Sequence, residues 1–446
     1  MPHAIALPLT TPEIRAELSG GAEFRRTVLP SGVRVLTERV PGALSASVGF
    51  WVPVGSRDEQ PHQYGSTHFL EHLLFKGTPT RTAYDVAVAF DRVGGEHNAA
   101  TSREHTVYHA KIRDVDLPMA IDVLADMVTS SLLEPGEFEM ERGVILEELA
   151  MADDDPGDVV WDRFYETALG DHPLARPIGG TPDSIRATTR DAVWDYYRHR
   201  YHPTELVITI AGAVDHDAAV ARIEAGLRAG GWDLETPGVP LARRSTVDVH
   251  PQPARRLDVV DRPLEQVNLL VGGHGITSTD PRRHTFGLMH HVFGGGMSSR
   301  LFQEVRERRG LAYSVHSFGG SHSDAGVQGM YAGCAPTKAA EVVRVMRAEA
   351  ERLVADGVTE EELADAKGAT AGASALALEN SDSRMSRLGR SEIHTGELLD
   401  LDAALERVEA VTLDDVRTLA GELFDGPLVA AAVGPLPADA RAELER

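Results

Sequence analysis

The chain has 446 residues, of which 42% are hydrophobic, enough for more than one domain with a sizeable core. Its 68 acidic residues against 44 Lys and Arg give a formal net charge of −24, which argues against nucleic acid as a partner. No apolar run reaches the roughly 18 residues of a membrane span, and the acidic start of the chain is unlike a signal peptide. We therefore expect a cytoplasmic globular protein that does not act on a membrane.

The first half of the chain predicts strands and helices in mixed order. Strands are predicted over residues 28–38, with a turn inside, and over 45–52, 106–112 and 206–213. Helices are predicted over residues 83–93, 117–130 and 137–152. The small residues of 98–102 would let another backbone approach closely. This mixture predicts an α+β fold in which a sheet packs against helices.

The segment 67–77 sets two histidines and a glutamate among apolar residues. His68 and His72 are four residues apart, so on a helix both imidazoles lie on one face and can share a metal ion. Glu71 lies beside them, and the order His-x-x-Glu-His is that of the inverted zincins. Zinc suits imidazole ligands, and Glu71 would be the general base. Alternatively, this is a buried helix whose histidines are satisfied by backbone or carboxylate partners.

A third ligand must come from elsewhere, and it cannot be a set of cysteines because the chain has only Cys334. The helix predicted at 137–152 offers several glutamates. One face of that helix carries Glu141, Val144, Ile145 and Glu148. Because a buried carboxylate is costly unless it binds a cation, we predict Glu148 as the ligand and Glu141 as a hydrogen-bonding partner of a ligand. Glu147 lies off that face, and the alternative is that all these glutamates are solvated.

A linker divides the chain into two similar halves. Residues 229–256 are rich in Gly and Pro with scattered charges, which is typical of a linker. Strand and helix patterns return after it in the order of the first half. We therefore predict two homologous sandwich domains from a tandem duplication: a metal-binding domain at 20–235 and a second at 257–446, joined by a linker at 236–256.

The repeat also shows what the second half has lost. An offset of 218 residues sets His72 on His290. The same offset sets His68 on Phe286 and Glu71 on Met289, so neither the second imidazole nor the carboxylate is present. We predict that only the first domain binds metal.

Taken together, these motifs resemble the pitrilysin family of inverted zincins, and within it the branch of the mitochondrial processing peptidase. The resemblance rests on His68, Glu71 and His72, on Glu148 lying 76 positions after His72, and on Glu141 seven positions before Glu148. Segments 94–104, 294–301 and 306–313 extend it. It covers essentially the whole chain from residue 24 onward.

The resemblance implies roles that spacing alone does not assign. In relatives, the strand matching Asn98, Ala99 and Ala100 is an edge strand that binds the substrate backbone. Arg306 and Tyr313, seven positions apart, match a pair that contacts substrate near the metal. The second domain would thus contribute Arg306 and Tyr313 but no metal ligand.

The resemblance also implies an activity and an assembly. It implies a zinc-dependent endopeptidase, with one zinc ion per chain, that cleaves peptides or unfolded protein segments inside a closed chamber. Single-chain relatives contain four α+β units and this chain two, so we expect a homodimer, although a paralogous partner would also supply the missing units. The alternative is a non-catalytic or partner-dependent subunit of a heterodimer, but the motif that such subunits lose is complete here.

Overall fold

The computed structural model describes residues 4–426 and 428–446, and these fold into two compact units. The first unit takes its described residues from Met1–Leu149, Pro177–Arg243 and Ser374–Ala404. The second takes them from Ala150–Arg176, Arg244–Ala373 and Leu405–Arg446. The units therefore differ from the predicted continuous domains 20–235 and 257–446, because each contains a segment from the other half of the sequence.

Fourteen strands are found among the described residues. They are β1 (Ala4–Ala6), β2 (Glu13–Glu17), β3 (Glu23–Val28), β4 (Arg34–Arg39), β5 (Ser45–Val52), β6 (Glu96–Thr101), β7 (Thr106–Arg113), β8 (Val207–Gly212), β9 (Leu257–Val260), β10 (Val267–His274), β11 (Ala312–Ser321), β12 (Gly326–Cys334), β13 (Glu397–Leu399) and β14 (Val429–Val433). The strands predicted at 45–52, 106–112 and 206–213 correspond to β5, β7 and β8, whereas the segment predicted at 28–38 covers most of β4 but only the last residue of β3.

Fifteen α-helices are found in the same residues. They are α1 (Ser66–Leu73), α2 (Ala83–Asp91), α3 (Leu117–Ser130), α4 (Pro135–Asp154), α5 (Pro156–Leu169), α6 (Pro182–Ala187), α7 (Arg190–Arg200), α8 (His216–Ala229), α9 (Arg283–Gly294), α10 (Ala339–Asp356), α11 (Glu360–Ala377), α12 (Ser381–Arg390), α13 (Leu401–Glu409), α14 (Leu413–Phe424) and α15 (Ala438–Leu444). The helices predicted in the first half correspond to α2, α3 and α4.

The first unit is built on a seven-stranded sheet with the order β2-β3-β4-β8-β5-β7-β6. Successive strand residues point to opposite faces, so β5 sends Phe50 into one core and Trp51 into the other. Helices α1, α3 and α7 contribute to the core around Phe50, whereas Met385 and Leu388 of α12 pack in the core around Trp51. Strand β6 is left at an edge of the sheet, beside α1.

The second unit is built on a five-stranded sheet with the order β11-β12-β10-β14-β9. Neighbouring residues of β10 again enter separate cores: Leu269 packs with α9, α10 and α14, and Leu270 packs with α5. The seven-stranded and the five-stranded sheet are therefore each covered by helices on both faces, which confirms the α+β class and adds a third layer to each sandwich. The outer helix of each unit, α12 or α5, comes from the other half of the sequence.

The stretch between the two halves is irregular. Residues 230–256, all of which are described, form neither helix nor strand. Within residues 4–426 and 428–446, none of the helices combines the length and apolar composition needed to cross a membrane.

Candidate metal centre

Helix α1 is fixed at its first turn by a buried carboxylate. Glu59 accepts hydrogen bonds from the backbone N–H of Gly65 at 2.8 Å and of Thr67 at 2.7 Å, and from the Thr67 hydroxyl at 2.6 Å. An acceptor here satisfies N–H groups that have no partner within the helix, and its charge complements the helix dipole. Gly65 has φ +93, a left-handed conformation that glycine adopts without strain. This anchor, which the sequence did not indicate, sets the direction of the helix that carries His68 and His72.

Three side chains converge in the first unit. Nε2 of His68 and Nε2 of His72 each lie 3.4 Å from Oε2 of Glu148, and one ligand atom from each residue lies within 4.8 Å of the others. Two ligand atoms bound to one tetrahedral zinc ion at about 2.0–2.1 Å are roughly 3.4 Å apart. The two separations that involve Glu148 therefore match those between zinc ligands. Among the described residues, no other group of three His, Cys, Asp or Glu residues converges in this way.

The Nδ1 atom of each imidazole has its own partner. Nδ1 of His72 donates to Oε2 of Glu141 at 2.9 Å, and Nδ1 of His68 lies 3.4 Å from the carbonyl oxygen of Gly179. A proton held on Nδ1 leaves the lone pair of Nε2 free for a metal ion. This direct contact supports the predicted role of Glu141 as a hydrogen-bonding partner of a ligand. Gly179 is a partner that sequence analysis missed, since a backbone carbonyl leaves no pattern in the sequence.

The electrostatics of the group favour a cation between the imidazoles and the carboxylate. Burial acts to lower the pKa of His68, but the hydrogen bond and charge of Glu148, together with the charge of Glu71, raise the pKa above its ordinary value. The hydrogen bond to His68 lowers the pKa of Glu148 against the effect of its partial burial. A metal ion would supply the positive charge that a proton supplies in this pair. His68 is buried while Glu148 is largely exposed, so the group is open to solvent on one side.

Helix α4 presents Glu148 on a face slightly different from the predicted one. Its buried residues are Phe138, Glu141 and Ile145, and Glu148 continues that row at helical spacing. Val144 was predicted on this face, but it is 47% exposed. The prediction of a buried face was therefore wrong for Val144, which lies to one side of the line through Glu141 and Ile145, and for Glu148, whose side chain is 56% exposed.

Glu71 is tied to the edge strand β6. The backbone N–H of Thr101 donates to Oε2 of Glu71 at 2.9 Å. At the neighbouring position, the N–H of Ser102 donates to the carbonyl of His105, so it points toward the chain that follows β6. Because N–H groups alternate sides along a strand, those of Thr101 and Ala99 point to the free edge. One of these outward donors thus holds the carboxylate beside the metal centre.

The other outward donor, the N–H of Ala99, is bonded to a neighbouring side chain. The N–H of Ala99 donates to Oδ1 of Asn98 at 2.9 Å. Asn98 and Ala100 are exposed, whereas the Ala99 side chain is buried against the sheet. The structure therefore brings Asn98, Ala99 and Ala100 to the edge beside α1, with an N–H that an extended peptide could use in place of the side-chain amide.

Arg306 and Tyr313 lie in the second unit and contact each other. The guanidinium of Arg306 lies 4.3 Å from the ring centroid of Tyr313 and 4.7 Å from that of Phe302. Its Nη1 also donates to the carbonyl of Tyr313 at 3.0 Å. Arg306 belongs to a π-helical turn, Phe302–Glu307, and Tyr313 is 76% exposed. Phe302 is a partner of this pair that sequence analysis did not single out.

Comparisons with known proteins match the chain to one family of peptidases. Residues 34–182 match the family described as Insulinase (Peptidase family M16), and residues 187–370 match the one described as Peptidase M16 inactive domain. An uncharacterised zinc protease of Streptomyces coelicolor is 44% identical over 97% of this chain and 94% of its own. An uncharacterised zinc protease of Bacillus subtilis is 35% identical over 92% and 98%.

A solved structure supports the fold. A protease from Helicobacter pylori superposes with a TM-score of 0.83 at 23% identity, over 93% of this chain and all of its own. The mitochondrial-processing-peptidase branch is not singled out by any of these matches and remains a prediction. By its sequence and its fold, this chain belongs to the pitrilysin or insulinase family of peptidases, family M16.

Proposed function

We propose that this protein is a zinc-dependent endopeptidase that binds one zinc ion per chain through His68, His72 and Glu148. The observation that carries the proposal is the convergence of both Nε2 atoms on one oxygen of Glu148 at 3.4 Å. The similarity to proteins described as zinc proteases supports the choice of metal. When bound, zinc polarises a peptide carbonyl and makes water a better nucleophile.

Glu71 is the general base and then the general acid of the proposed reaction. Its carboxylate takes a proton from the attacking water and delivers that proton to the amine that leaves. The N–H of Thr101 holds Oε2 at 2.9 Å, which fixes the carboxylate on the side of α1 that faces the edge strand. A peptide lying along β6 therefore reaches a base whose position is already set.

The substrate class follows from the edge strand. A peptide that adds to β6 displaces Oδ1 of Asn98 and pairs with the N–H and carbonyl of Ala99. It cannot pair with the N–H of Thr101, which Glu71 occupies. The added strand is therefore registered on Ala99, and its backbone passes Glu71 at the end of β6. Backbone pairing needs an extended segment, so unfolded chains and peptides are the proposed substrates.

The central experiment replaces Glu71 by Gln. We expect Glu71→Gln to keep one zinc ion per chain and its fold, and to lose peptide cleavage by at least about 10²–10⁴-fold, because a base is removed and no ligand is. Metal analysis and cleavage of a quenched fluorescent peptide measure the two effects. Glu17→Gln, the same change at an exposed strand position of the first unit, is the control and should leave both unchanged. Cleavage by Glu71→Gln at a rate near wild type would assign the base elsewhere.

We propose further that two copies close the chamber, with Arg306 and Tyr313 of one chain facing the zinc of the other. The proposal rests on the family resemblance and on the exposed stack of these two side chains. Glu71→Gln and Tyr313→Phe homodimers should each be inactive or poor. After subunit exchange, half of the dimers are hybrids with one intact site of two, so activity should recover to roughly 25% of wild type. With exchange confirmed, a mixture no more active than its parents would show that Tyr313 does not act across a dimer.

A further inference from the structure

A row of alternating basic and acidic side chains lies between α1 with its following turn and α4. The order along the row is His68, Glu148, His72, Glu141 and Lys76. Successive partners are 3.4, 3.4, 2.9 and 2.5 Å apart, so the shortest contact joins Nζ of Lys76 to Oε1 of Glu141. We propose that Lys76 is a positioning residue of the metal centre, which holds Glu141 so that Glu141 aims His72 at the metal. The proposal rests on the zinc site proposed above.

Local structure explains why Lys76 belongs to this row. His68, His72 and Lys76 are four positions apart, so they share one side of a helix. The α-helix ends at Leu73, but a tighter turn, Leu74–Lys76, continues it and keeps Lys76 on that side. Gly77, with φ +138, then turns the chain away. The same four-residue spacing that supplies two ligands thus supplies the cation at the end of the row.

The two oxygens of Glu141 have different partners, and this is the basis of the role. Oε2 accepts from His72 and Oε1 contacts Lys76, while the Glu141 side chain is 3% exposed. A carboxylate buried to this extent is costly unless its charge is compensated. A histidine that binds a metal through Nε2 is neutral, so His72 gives Glu141 a hydrogen bond but no full charge. Lys76 supplies the charge, and its contact fixes the rotation of the carboxylate about its own bond.

A purely structural role makes a different prediction. If the Lys76 to Glu141 ion pair only packs the end of α1 against α4, its loss should lower the melting temperature and leave zinc affinity unchanged. If Lys76 positions Glu141, its loss should weaken zinc binding, and only while Glu141 is present to be positioned. A double-mutant cycle on zinc affinity separates these roles.

The experiment measures the zinc affinity of the metal-free full-length chain by competition with a chromophoric chelator. We expect Lys76→Met, which keeps the apolar stem, to bind zinc about 10- to 100-fold more weakly, the usual range for a partner of a metal ligand. Lys76→Arg keeps the charge and should recover most of the loss. In a Glu141→Gln background, Lys76→Met should have little further effect. The matched control is Lys111→Met in β7, whose amine lies 3.4 Å from Asp382 and is about as exposed, and it should bind zinc like wild type.

Different results would overturn the positioning role of Lys76 and the metal site itself. Wild-type affinity in Lys76→Met, or an equal loss with and without Glu141, overturns the positioning role. A wild-type chain that binds no zinc overturns the metal site itself and so the proposed function, which keeps the two failures distinct. Circular dichroism melting checks that each variant is folded. Should Lys76→Met not fold, the comparison of Lys76→Gln with Lys76→Arg replaces it, and equal zinc affinity in these two variants would likewise refute the proposal.

Discussion

Helices α1 and α9 hold corresponding positions in the two halves of the sequence, yet among the described residues α1 contributes to a candidate metal centre and α9 does not. In α1, Nδ1 of His72 donates to Glu141 and Nε2 faces Glu148. In α9, the matching residue His290 is buried, and among the described residues neither of its ring nitrogens has a hydrogen-bond partner. Its ring packs edge-on against Phe286 at 4.5 Å, the residue that the repeat aligns with His68.

The comparison teaches that the carboxylates, more than the histidine, distinguish a metal centre from a hydrophobic core. Burial alone lowers the pKa of His290 to about 3, so this imidazole is neutral at physiological pH and behaves as an apolar ring. His68 is also buried, but Glu148 and Glu71 raise its pKa. The pKa values of these two buried imidazoles are therefore shifted in opposite directions, because acidic residues lie near His68 and burial alone acts on His290.

The largest expected effect comes from removing the carboxylate that makes α1 different. Glu148→Gln replaces the only ligand oxygen of the group by a neutral amide, which leaves two imidazoles and an open site. We expect the zinc affinity to fall by more than about 100-fold, beyond the range seen for partners of ligands. Equilibrium dialysis followed by metal analysis measures this, with peptide cleavage falling in parallel.

Its matched control lies one residue away on the same helix. Glu147 is exposed and is absent from the group of converging ligands, so Glu147→Gln should keep wild-type zinc. Both variants lose one negative charge, so a general electrostatic effect would appear in both. Equal zinc contents in the two variants would refute the assignment of Glu148, and loss in Glu147→Gln alone would transfer the role to Glu147.

The three side chains that converge in the first unit could be predicted because the pattern on each helix is local in sequence. Spacings of four residues in α1 and of seven residues in α4 determine which side chains share a helical face. Spacing also carried a signal for Lys76, four residues after His72, that was overlooked. Glu59 and Gly179 could not be found in this way, because one caps a helix from a loop and the other acts through its backbone carbonyl.

The sequence could not show that each unit takes its outer helix, α12 or α5, from the other half of the chain, and the reason is physical. An amphipathic pattern shows that a helix has an apolar face, but it does not show which sheet that face covers. In the first unit, Arg384 and Arg387 of α12 both pair with Glu38 of β4, whose side chain is fully buried. Arg26 of β3 likewise pairs with the buried Glu392 at 3.0 Å. These contacts join residues about 350 positions apart, and single-sequence patterns contain no signal at that distance.

A smaller effect, the pH dependence of stability, tests the comparison at His290 of α9. A histidine whose pKa in the folded state is lowered from 6.5 to about 3 takes up a proton more readily when the chain is unfolded. Its contribution to the free energy of unfolding is therefore complete above pH 6.5 and is lost as the pH falls toward 3. At about 1.4 kcal/mol per pH unit, the second unit should lose about 2 kcal/mol between pH 6.5 and pH 5 through His290.

The measurement is urea unfolding at pH 7 and pH 5, read by hydrogen-exchange pulses in peptides from β10 so that it reports the second unit. His290→Leu removes the titrating group while retaining an apolar side chain of similar size. Between pH 7 and pH 5, the free energy of unfolding of this variant should therefore fall by about 2 kcal/mol less than that of wild type. When the pH effect in the variant is subtracted from that in wild type, the contributions of groups that titrate in both proteins cancel. The control is His62→Leu, at an exposed position in the first unit, which should show the wild-type pH dependence in β10. If His290→Leu shows it as well, His290 is not held neutral by burial, and the electrostatic contrast with His68 would be refuted.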